Sequence, residues 1–188
     1  MARNYAKGGG RYATEVTRKM GTDAEMLFEK IITSHGNKYR NATKKEEKIN
    51  HFDYVVSNFF GINSCKIEVK STKSSKRGRR PDTSILFIEL KSIGGYPGWI
   101  YGNSDIVAFQ IKNKFVLFKR LDLVAYVESE IPNMKMSKNG GIKGTLYERK
   151  YRNDLVAIFD MTKVINKVPN MFFSQVNKDI KLTYAQVC

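Results

Sequence analysis

The chain of 188 residues contains little cysteine, histidine, proline or tryptophan: two, two, four and one residue respectively. Its two cysteines, Cys65 and Cys188, cannot build a disulfide framework, and neither has a CxxC partner. Two histidines are too few to favour a structural zinc site. The sequence also has neither a P-loop nor a G-x-S-x-G elbow. It therefore gives no support to an ATPase or to a hydrolase with a serine nucleophile on such an elbow.

Long apolar runs are absent as well. No run approaches the roughly 20 residues that a membrane-spanning helix needs. The N-terminus has no apolar core of the kind found in signal peptides. We therefore expect an intracellular protein that is neither secreted nor inserted in a membrane.

Acidic residues are scarce relative to basic ones, with 18 Asp and Glu against 33 Lys and Arg, so the formal net charge is +15. This balance favours polyanionic partners, nucleic acid first and an anionic membrane surface second. Hydrophobic residues at 41% and aromatic residues at 12% are typical of a folded protein. The length predicts one domain with a sizeable core.

Residues 1–20 hold five basic residues, one acid and a triple glycine. We expect them to form a flexible basic arm, followed by a single domain over residues 21–188. Apolar residues recur at helical spacing over residues 21–36, which predicts a helix that ends at Gly36.

Strand-like segments rich in β-branched and aromatic residues follow the helix. They cover residues 38–43, 51–57, 65–71, 84–92, 105–111, 114–120 and 154–160. Helices are predicted over residues 121–131 and 161–168, a polar connection over 44–50 and a basic loop over 132–144. One helix, a mostly antiparallel sheet and later helices predict an α/β (α+β) single domain.

Three charged residues interrupt two of the predicted strands. Asp53 lies in "HFDYVVS", and Glu68 and Lys70 lie in "CKIEVKS", where alternation places both on one face. One explanation is a solvated face of an antiparallel sheet. The other is a site: Asp53 and Glu68, on consecutive strands, can lie side by side, and paired carboxylates repel unless a cation such as Mg²⁺ separates them.

Positive charge follows Lys70 directly. The segment "STKSSKRGRR" has no acid, and its cations are suited to a phosphate backbone. They are Lys73, Lys76, Arg77, Arg79 and Arg80. A nucleic-acid backbone would thus meet cations beside the carboxylates.

Asp followed by Glu-x-Lys on the next strand resembles the metal and lysine set of the PD-(D/E)XK nuclease superfamily. The resemblance covers roughly residues 21–120, and "IEVKS…FIELKS…GWIYG…DIVAF" is similar to small phage and viral endonuclease-like proteins. It implies a restriction-endonuclease-like core, with a mixed central sheet flanked by helices. It also implies a Mg²⁺-dependent deoxyribonuclease, in which Mn²⁺ substitutes, acting on DNA in the cytoplasm of a bacterial or virus-infected host cell.

The same resemblance implies roles for individual residues. Asp53 and Glu68 would hold the metal together with the carbonyl of Val69. Lys70 would orient the attacking water or stabilise charge at phosphorus. Glu25 fits a Gly-x-x-x-Glu helix opening that begins at Gly21, and it is preferred to Glu29 as a further acid.

A second match to the motif lies further along the chain. Asp82 and then Glu89 and Lys91 follow the written motif more literally, although Asp82 falls in the basic loop. We favour the first set, and expect Glu89 and Lys91 to lie on a strand next to it as supporting or phosphate-contacting residues. His51, on the face of Asp53, and Gln110 are further candidates for supporting roles.

Two other functions compete with the enzyme: a catalytically inactive DNA-binding protein on the same fold, and a basic RNA-binding protein. Fold alone does not decide between them. A single site cuts one strand, so cleavage of both strands would call for a symmetric homodimer. Oligomeric state is open at the level of the sequence.

Overall fold

The computed structural model describes residues 8–73, 82–138, 141–148 and 153–175, with side chains from residue 15. Its helices are α1 (Gly8–Ser34), α2 (Lys44–Asn50), α3 (Arg120–Glu130) and α4 (Met161–Lys167). Its strands are β1 (Tyr39–Asn41), β2 (Tyr54–Phe59), β3 (Ile62–Lys70), β4 (Ile85–Lys91), β5 (Ile106–Ile111), β6 (Lys114–Lys119), β7 (Lys135–Ser137), β8 (Thr145–Glu148), β9 (Leu155–Asp160) and β10 (Asn170–Ser174). Short 3₁₀ turns cover Trp99–Tyr101 and Ile131–Asn133.

The strands form two sheets. The larger has the order β1-β2-β3-β5-β6-β10 and is antiparallel except where β3 and β5 run parallel. The smaller has the order β4-β9-β8-β7, with β7 and β8 parallel. The mixed α/β single domain predicted from the sequence is confirmed, and the second sheet is a feature that the sequence did not predict.

Each face of the larger sheet has its own hydrophobic core. On one face, Ala24, Phe28, Ile31 and Ile32 of α1 pack against strand residues that include Ile67 and Leu117. On the other face, β5 and β6 pack against β4, β9 and α3. Apolar residues on both faces of β5 and β6 explain why these strands are nearly continuous hydrophobic runs.

Helix α1 is longer than the sequence predicted. It begins at Gly8, so residues 8–20, which we expected in a flexible arm, are helical. Its buried side chains begin at Ala24, and Gly36, with φ +74°, follows its end in the left-handed conformation that glycine tolerates. The triple glycine lies at the very start of the helix, where it interrupts little. Residues 1–7 of the predicted arm lie outside the described residues.

The connection over residues 44–50 is helix α2, not the irregular segment that the sequence suggested. Thr43 caps it: the Glu46 N–H donates to the Thr43 hydroxyl, and the Glu46 carboxylate accepts from the Thr43 N–H. This reciprocal pair is a capping box, and its Thr-x-x-Glu pattern is legible in the sequence. Strand β7, inside the predicted basic loop, and strands β8 and β10 were also not predicted.

Strand β4 leaves the larger sheet. The chain runs from β3 into β4 of the smaller sheet and returns in β5, which pairs with β3. The expectation that Glu89 and Lys91 lie on a strand next to β3 is therefore wrong, because the neighbours of β3 are β2 and β5. None of the helices among the described residues combines the length and the apolar character that a membrane crossing requires.

Candidate active site

The Asp53 side chain is fixed to strand β3. The Asp53 N–H donates to the Ile67 carbonyl over 2.8 Å, and the Val69 N–H donates to Asp53 Oδ2 over 2.6 Å. Asp53 lies one residue before β2, not inside it as the sequence suggested. The two hydrogen bonds nevertheless hold it where β2 and β3 begin to pair, which gives it the fixed position that a catalytic carboxylate needs.

Glu68 and Lys70 lie on the same face of β3, as alternation predicted, and form an ion pair. Glu68 is 5% exposed. The parallel neighbours of the two residues on β5, Val107 and Phe109, are buried in the core beneath the smaller sheet. The explanation by a solvated sheet face is therefore wrong for Glu68, which is buried between the sheets at the carboxyl end of β3, and Lys70 beside it is partly buried.

The Lys70 ammonium has two further neighbours. It lies 4.8 Å from the centre of the Trp99 ring, whose quadrupole attracts a cation. The negative charge of Glu89, on β4 of the facing sheet, also acts on it. Trp99 is 5% exposed and packs edge-on against Phe109. Lys70 therefore contacts Glu68 and the Trp99 ring and also feels the charge of a carboxylate on the facing sheet.

The charges of this cluster shift one another's pKa values. Burial, followed by the charge of Glu68, raises the pKa of Asp53 to about 7. Burial lowers the pKa of Lys70, but the charges of Glu68 and Asp53 outweigh this effect, so the pKa of Lys70 is above its usual value. At neutral pH Lys70 is therefore charged, while Asp53 is close to its titration midpoint. A nearby cation would favour the ionised form of Asp53.

Glu25 and Glu29, both on α1, separate into different environments. The Glu29 carboxylate accepts a hydrogen bond from the Tyr54 hydroxyl over 3.0 Å. Glu25 instead lies within reach of the charges of Glu68 and Lys70, and burial followed by the charge of Glu47 raises its pKa. The structure places Glu25, the preferred acid, beside the cluster of Asp53, Glu68 and Lys70.

The supporting residues predicted from the sequence fall in different places. His51 is not on a strand face with Asp53, because it ends α2 in the left-handed conformation with φ +52°. Gln110 lines a cavity of about 20 Å³ that Lys70 also lines, room for about one water molecule. The Gln110 amide donates to the Lys112 carbonyl. Gln110 is therefore a neighbour of the cluster, whereas the strand argument for His51 is wrong.

The residues of the second motif, Asp82, Glu89 and Lys91, do not form a common site. The Asp82 carboxylate accepts from the Ser84 N–H and hydroxyl, and Asp82 precedes β4. Glu89 is near the other end of β4, seven residues away, which is roughly 23 Å along a strand. Glu89 contributes to the first cluster through Lys70, and Lys91 pairs by backbone with Pro97.

Most of the predicted phosphate-contacting loop lies outside the described residues. This applies to Lys76, Arg77, Arg79 and Arg80. Lys73 is described and exposed, and its carbonyl accepts from the Asp82 N–H over 3.0 Å. The role of these five cations in DNA binding stays a prediction.

The sequence did not identify Trp99 as a partner of Lys70, and it offered Glu89 as a supporting residue without naming Lys70 as its partner. Trp99 falls in the turn-rich "GGYPGWIYG" segment, where aromatic residues have no strand or helix period to reveal their direction. Glu89 reaches Lys70 across two packed sheets, a relationship that no local pattern encodes. The density of aromatic residues in the turn was the only signal for Trp99, and the second Glu-x-Lys motif was the only signal for Glu89.

The donor chemistry of the cluster suits a hard divalent cation in part. Asp53 and Glu68 supply carboxylate oxygens, with Glu25 close by, and oxygen donors are those that Mg²⁺ prefers. Across the residues that the structure describes, no group of three or more His, Cys, Asp or Glu side chains is assembled tightly enough to hold a metal. A bound cation would therefore rest on the two carboxylates, on Val69 as the resemblance implies, and on water, the coordination that Mg²⁺ usually retains.

Comparisons of the chain with models of protein families, with curated proteins and with solved structures gave no match.

Proposed function

We propose that this protein is a divalent-metal-dependent nuclease that hydrolyses DNA phosphodiester bonds, with Asp53, Glu68 and Lys70 as its central residues. One observation carries the proposal. The Asp53 carboxylate, held by the Val69 N–H, shares a half-buried cluster with Glu68 and with the Lys70 ammonium that pairs with it. Two carboxylates and one cation on adjoining strand ends match the set that the PD-(D/E)XK resemblance implies.

The energetics of the carboxylates support a cation at this place. Burial and the charge of Glu68 disfavour a second negative charge on Asp53, which is why its pKa is raised to about 7. Lys70 offsets only part of this repulsion. A divalent cation between Asp53 and Glu68 would favour the ionised form of both, so metal binding and proton release from Asp53 are linked.

When bound, Mg²⁺ or Mn²⁺ would polarise the scissile phosphate and lower the pKa of a water. Lys70 supplies a positive charge that stays protonated because Glu68 and Asp53 raise its pKa. Such a fixed cation stabilises negative charge that develops on phosphorus oxygens. Glu68 and Trp99 hold the Lys70 ammonium in place from two sides. Glu25, which lies within reach of the charges of Glu68 and Lys70, would assist a bound metal through water.

The overall charge supports a polyanionic substrate. The chain carries +15, yet Glu25, Glu47, Asp53 and Glu68 form a local group of acids near Lys70. A phosphate backbone would be attracted to the molecule as a whole and repelled by this group unless a cation screens it. A metal ion held by Asp53 and Glu68 would offset this repulsion.

A second candidate is a DNA-binding protein without catalysis. The close pairing of Glu68 with Lys70 favours it, because the pair already neutralises one carboxylate without a metal. A binding protein predicts tight, salt-sensitive DNA binding that does not depend on Asp53.

The test is cleavage of supercoiled plasmid in Mg²⁺, Mn²⁺ or EDTA by the wild type, Asp53→Asn and Asp105→Asn. Asp105 is a matched control, because its carboxylate also accepts a β3 backbone N–H, that of Lys66, over 2.7 Å. We expect cleavage with either metal, none in EDTA, at least a hundred-fold loss in Asp53→Asn and little loss in Asp105→Asn. DNA binding without cleavage by the wild type in any metal would favour the second candidate.

A further inference from the structure

Tyr96 has an unusually exposed aromatic side chain, in the loop that leads into Trp99 of the candidate active site. It is 75% exposed, more than any other large hydrophobic or aromatic residue that the structure describes. It lies in the loop Ser92–Gly98, hereafter the Tyr96 loop, between β4 and the turn at Trp99. Ile93 in the same loop is 53% exposed.

The Tyr96 loop is tied down by its own backbone. The Ser92 N–H donates to the Tyr96 carbonyl over 2.8 Å, and the Gly95 N–H donates to the Ser92 carbonyl over 2.9 Å. At the base, Lys91 pairs with Pro97, and the Gly98 N–H donates to the Leu90 carbonyl. The ring is therefore presented from an ordered backbone, which lowers the entropic cost of using it in binding.

Both ends of the Tyr96 loop meet residues of the candidate site. Its first residue, Ser92, lies three positions after Glu89 on β4, and the charge of Glu89 acts on Lys70. Its last residue precedes Trp99, whose ring lies against the Lys70 ammonium. Since Pro97 pairs with Lys91, Tyr96 lies roughly 10 Å from Glu89 by strand dimensions. About three nucleotide steps along one strand cover that distance.

We propose that Tyr96 stacks on an unpaired nucleobase within a few nucleotides of the scissile bond, so that the substrate is DNA with an unpaired base or a strand end rather than continuous duplex. This inference rests on the proposed nuclease function. In continuous duplex both faces of each base are covered by its neighbours, and exposing one means unstacking it at some cost. At a gap or strand end a base face is free, and every base offers a face on which an aromatic ring stacks.

The surroundings of Tyr96 favour a base over a protein surface. The ring is flanked by Gly95 and Pro97, and only Ile93 adds an exposed apolar side chain within the loop. Within the loop the exposed apolar surface thus comes from two side chains, whereas protein interfaces use larger contiguous patches. Lys91 at the base of the loop and the charge of +15 supply the attraction for the phosphates that accompany a base.

The test compares wild type, Tyr96→Ala, Tyr96→Phe and Phe172→Ala on three oligonucleotides: continuous duplex, duplex with a one-base gap, and single strand. Phe172 is the matched control, because it is an exposed aromatic, 46% accessible, on β10, three strands from β3. Equilibrium binding is measured in EDTA by fluorescence anisotropy, and a 2-aminopurine next to the gap reports stacking. Cleavage in Mg²⁺ gives kcat and KM separately.

We expect the wild type to prefer the gapped and single-stranded DNA and to quench the 2-aminopurine. Tyr96→Ala should bind these two substrates roughly ten-fold or more weakly, with loss of quenching, whereas its binding of continuous duplex is unchanged. Tyr96→Phe and Phe172→Ala should behave like the wild type.

Two results would overturn the inference, and they are distinguishable. If the wild type cleaves DNA but Tyr96→Ala binds and quenches equally well, the stacking role is wrong while the nuclease stands. If the wild type neither cleaves nor binds any of the three oligonucleotides, the proposed function fails and the inference fails with it.

Discussion

The carboxylate of Asp53 accepts the backbone N–H of Val69 over 2.6 Å, and this bond ties the residue just before β2 to β3, where the charged residues meet. The bond leaves one carboxylate oxygen of Asp53 available for another ligand. It also places Asp53 beside Glu68, whose charge raises the Asp53 pKa. The predictions below follow from this arrangement and from the contacts of Lys70.

The raised pKa of Asp53 makes stability depend on pH. The folded protein keeps a proton that the unfolded chain releases between about pH 4 and 7, so stability falls as pH rises through this range. At pH 8 without metal, Asp53→Asn should therefore raise the free energy of unfolding by on the order of 1–3 kcal/mol. The melting temperature would rise by roughly 3–10 °C. Thermal unfolding at pH 5 and pH 8 measures this, with a small or no gain expected at pH 5.

Metal binding should show the opposite pH dependence. A cation at Asp53 competes with its proton, so the stabilisation by Mg²⁺ or Mn²⁺ should grow from pH 6 to pH 8. The wild type and Asp53→Asn are compared by thermal shift at each pH. A metal effect of the same size in both proteins at every pH would show that the cation binds elsewhere.

Trp99 acts on Lys70 as a positioning residue. Trp99→Leu removes the aromatic face from the Lys70 ammonium, and we expect kcat to fall about ten-fold with KM changed less. Trp99→Phe keeps a ring and should recover most of kcat. Kinetics on one oligonucleotide, with thermal unfolding to track the packing defect, separate the two effects. If Leu and Phe variants of equal stability cut equally slowly, the ring does not position Lys70.

Glu25 and Glu29 should respond differently to the same change. Glu25→Gln removes a charge near Glu68 and Lys70, so cleavage should fall about ten-fold or more with little loss of stability. Glu29→Gln weakens the bond from the Tyr54 hydroxyl and should cost roughly 1 kcal/mol of stability, with cleavage nearly unchanged. Cleavage rates and denaturant unfolding of both variants test this pair. If Glu29→Gln slowed cleavage and Glu25→Gln lowered only stability, Glu29 and not Glu25 would be the acid that supports the active site.

Gly98 should tolerate no side chain. A Cβ at this position would lie 1.9 Å from the Glu89 carbonyl oxygen. Because the clashing atom belongs to the backbone, β4 or the Tyr96 loop would have to move. We expect Gly98→Ala to destabilise the protein by about 2 kcal/mol or more and to slow cleavage, since Trp99 follows directly. Gly21→Ala is the control: a Cβ there meets nothing within 4 Å, and alanine in a helix stabilises by about 0.5–1 kcal/mol. Thermal unfolding of the two variants should give shifts of opposite sign.

Much of the fold could be predicted because its signals are local. The apolar spacing of α1, the hairpin of β5 and β6 and the strand before α4 are all patterns within a few residues. The alternation that placed Glu68 and Lys70 on one face is equally local and is confirmed. The capping box of α2 was also legible, and it was overlooked because polar residues dominate the segment.

The remainder depends on pairing between distant segments. That β4 joins β9 and not β3 is decided by packing of the two sheets, so the strand assignment of Glu89 was wrong although its charge still reaches Lys70. The burial of Glu68 follows from the same packing. Neither Trp99 beneath Lys70 nor the exposure of Tyr96 has a sequence period, because both lie in turns.

The most direct test of the nuclease assignment is plasmid cleavage by the wild type beside Lys70→Ala, Lys91→Ala and Lys66→Ala in Mg²⁺. Lys66 is on the same face of β3 as Lys70, and it lies instead near the Phe52 ring. We predict loss of cleavage in Lys70→Ala, at most partial loss in Lys91→Ala and near-normal cleavage in Lys66→Ala. Full activity in Lys70→Ala together with loss in Lys91→Ala would contradict the account and move the active site to the second motif.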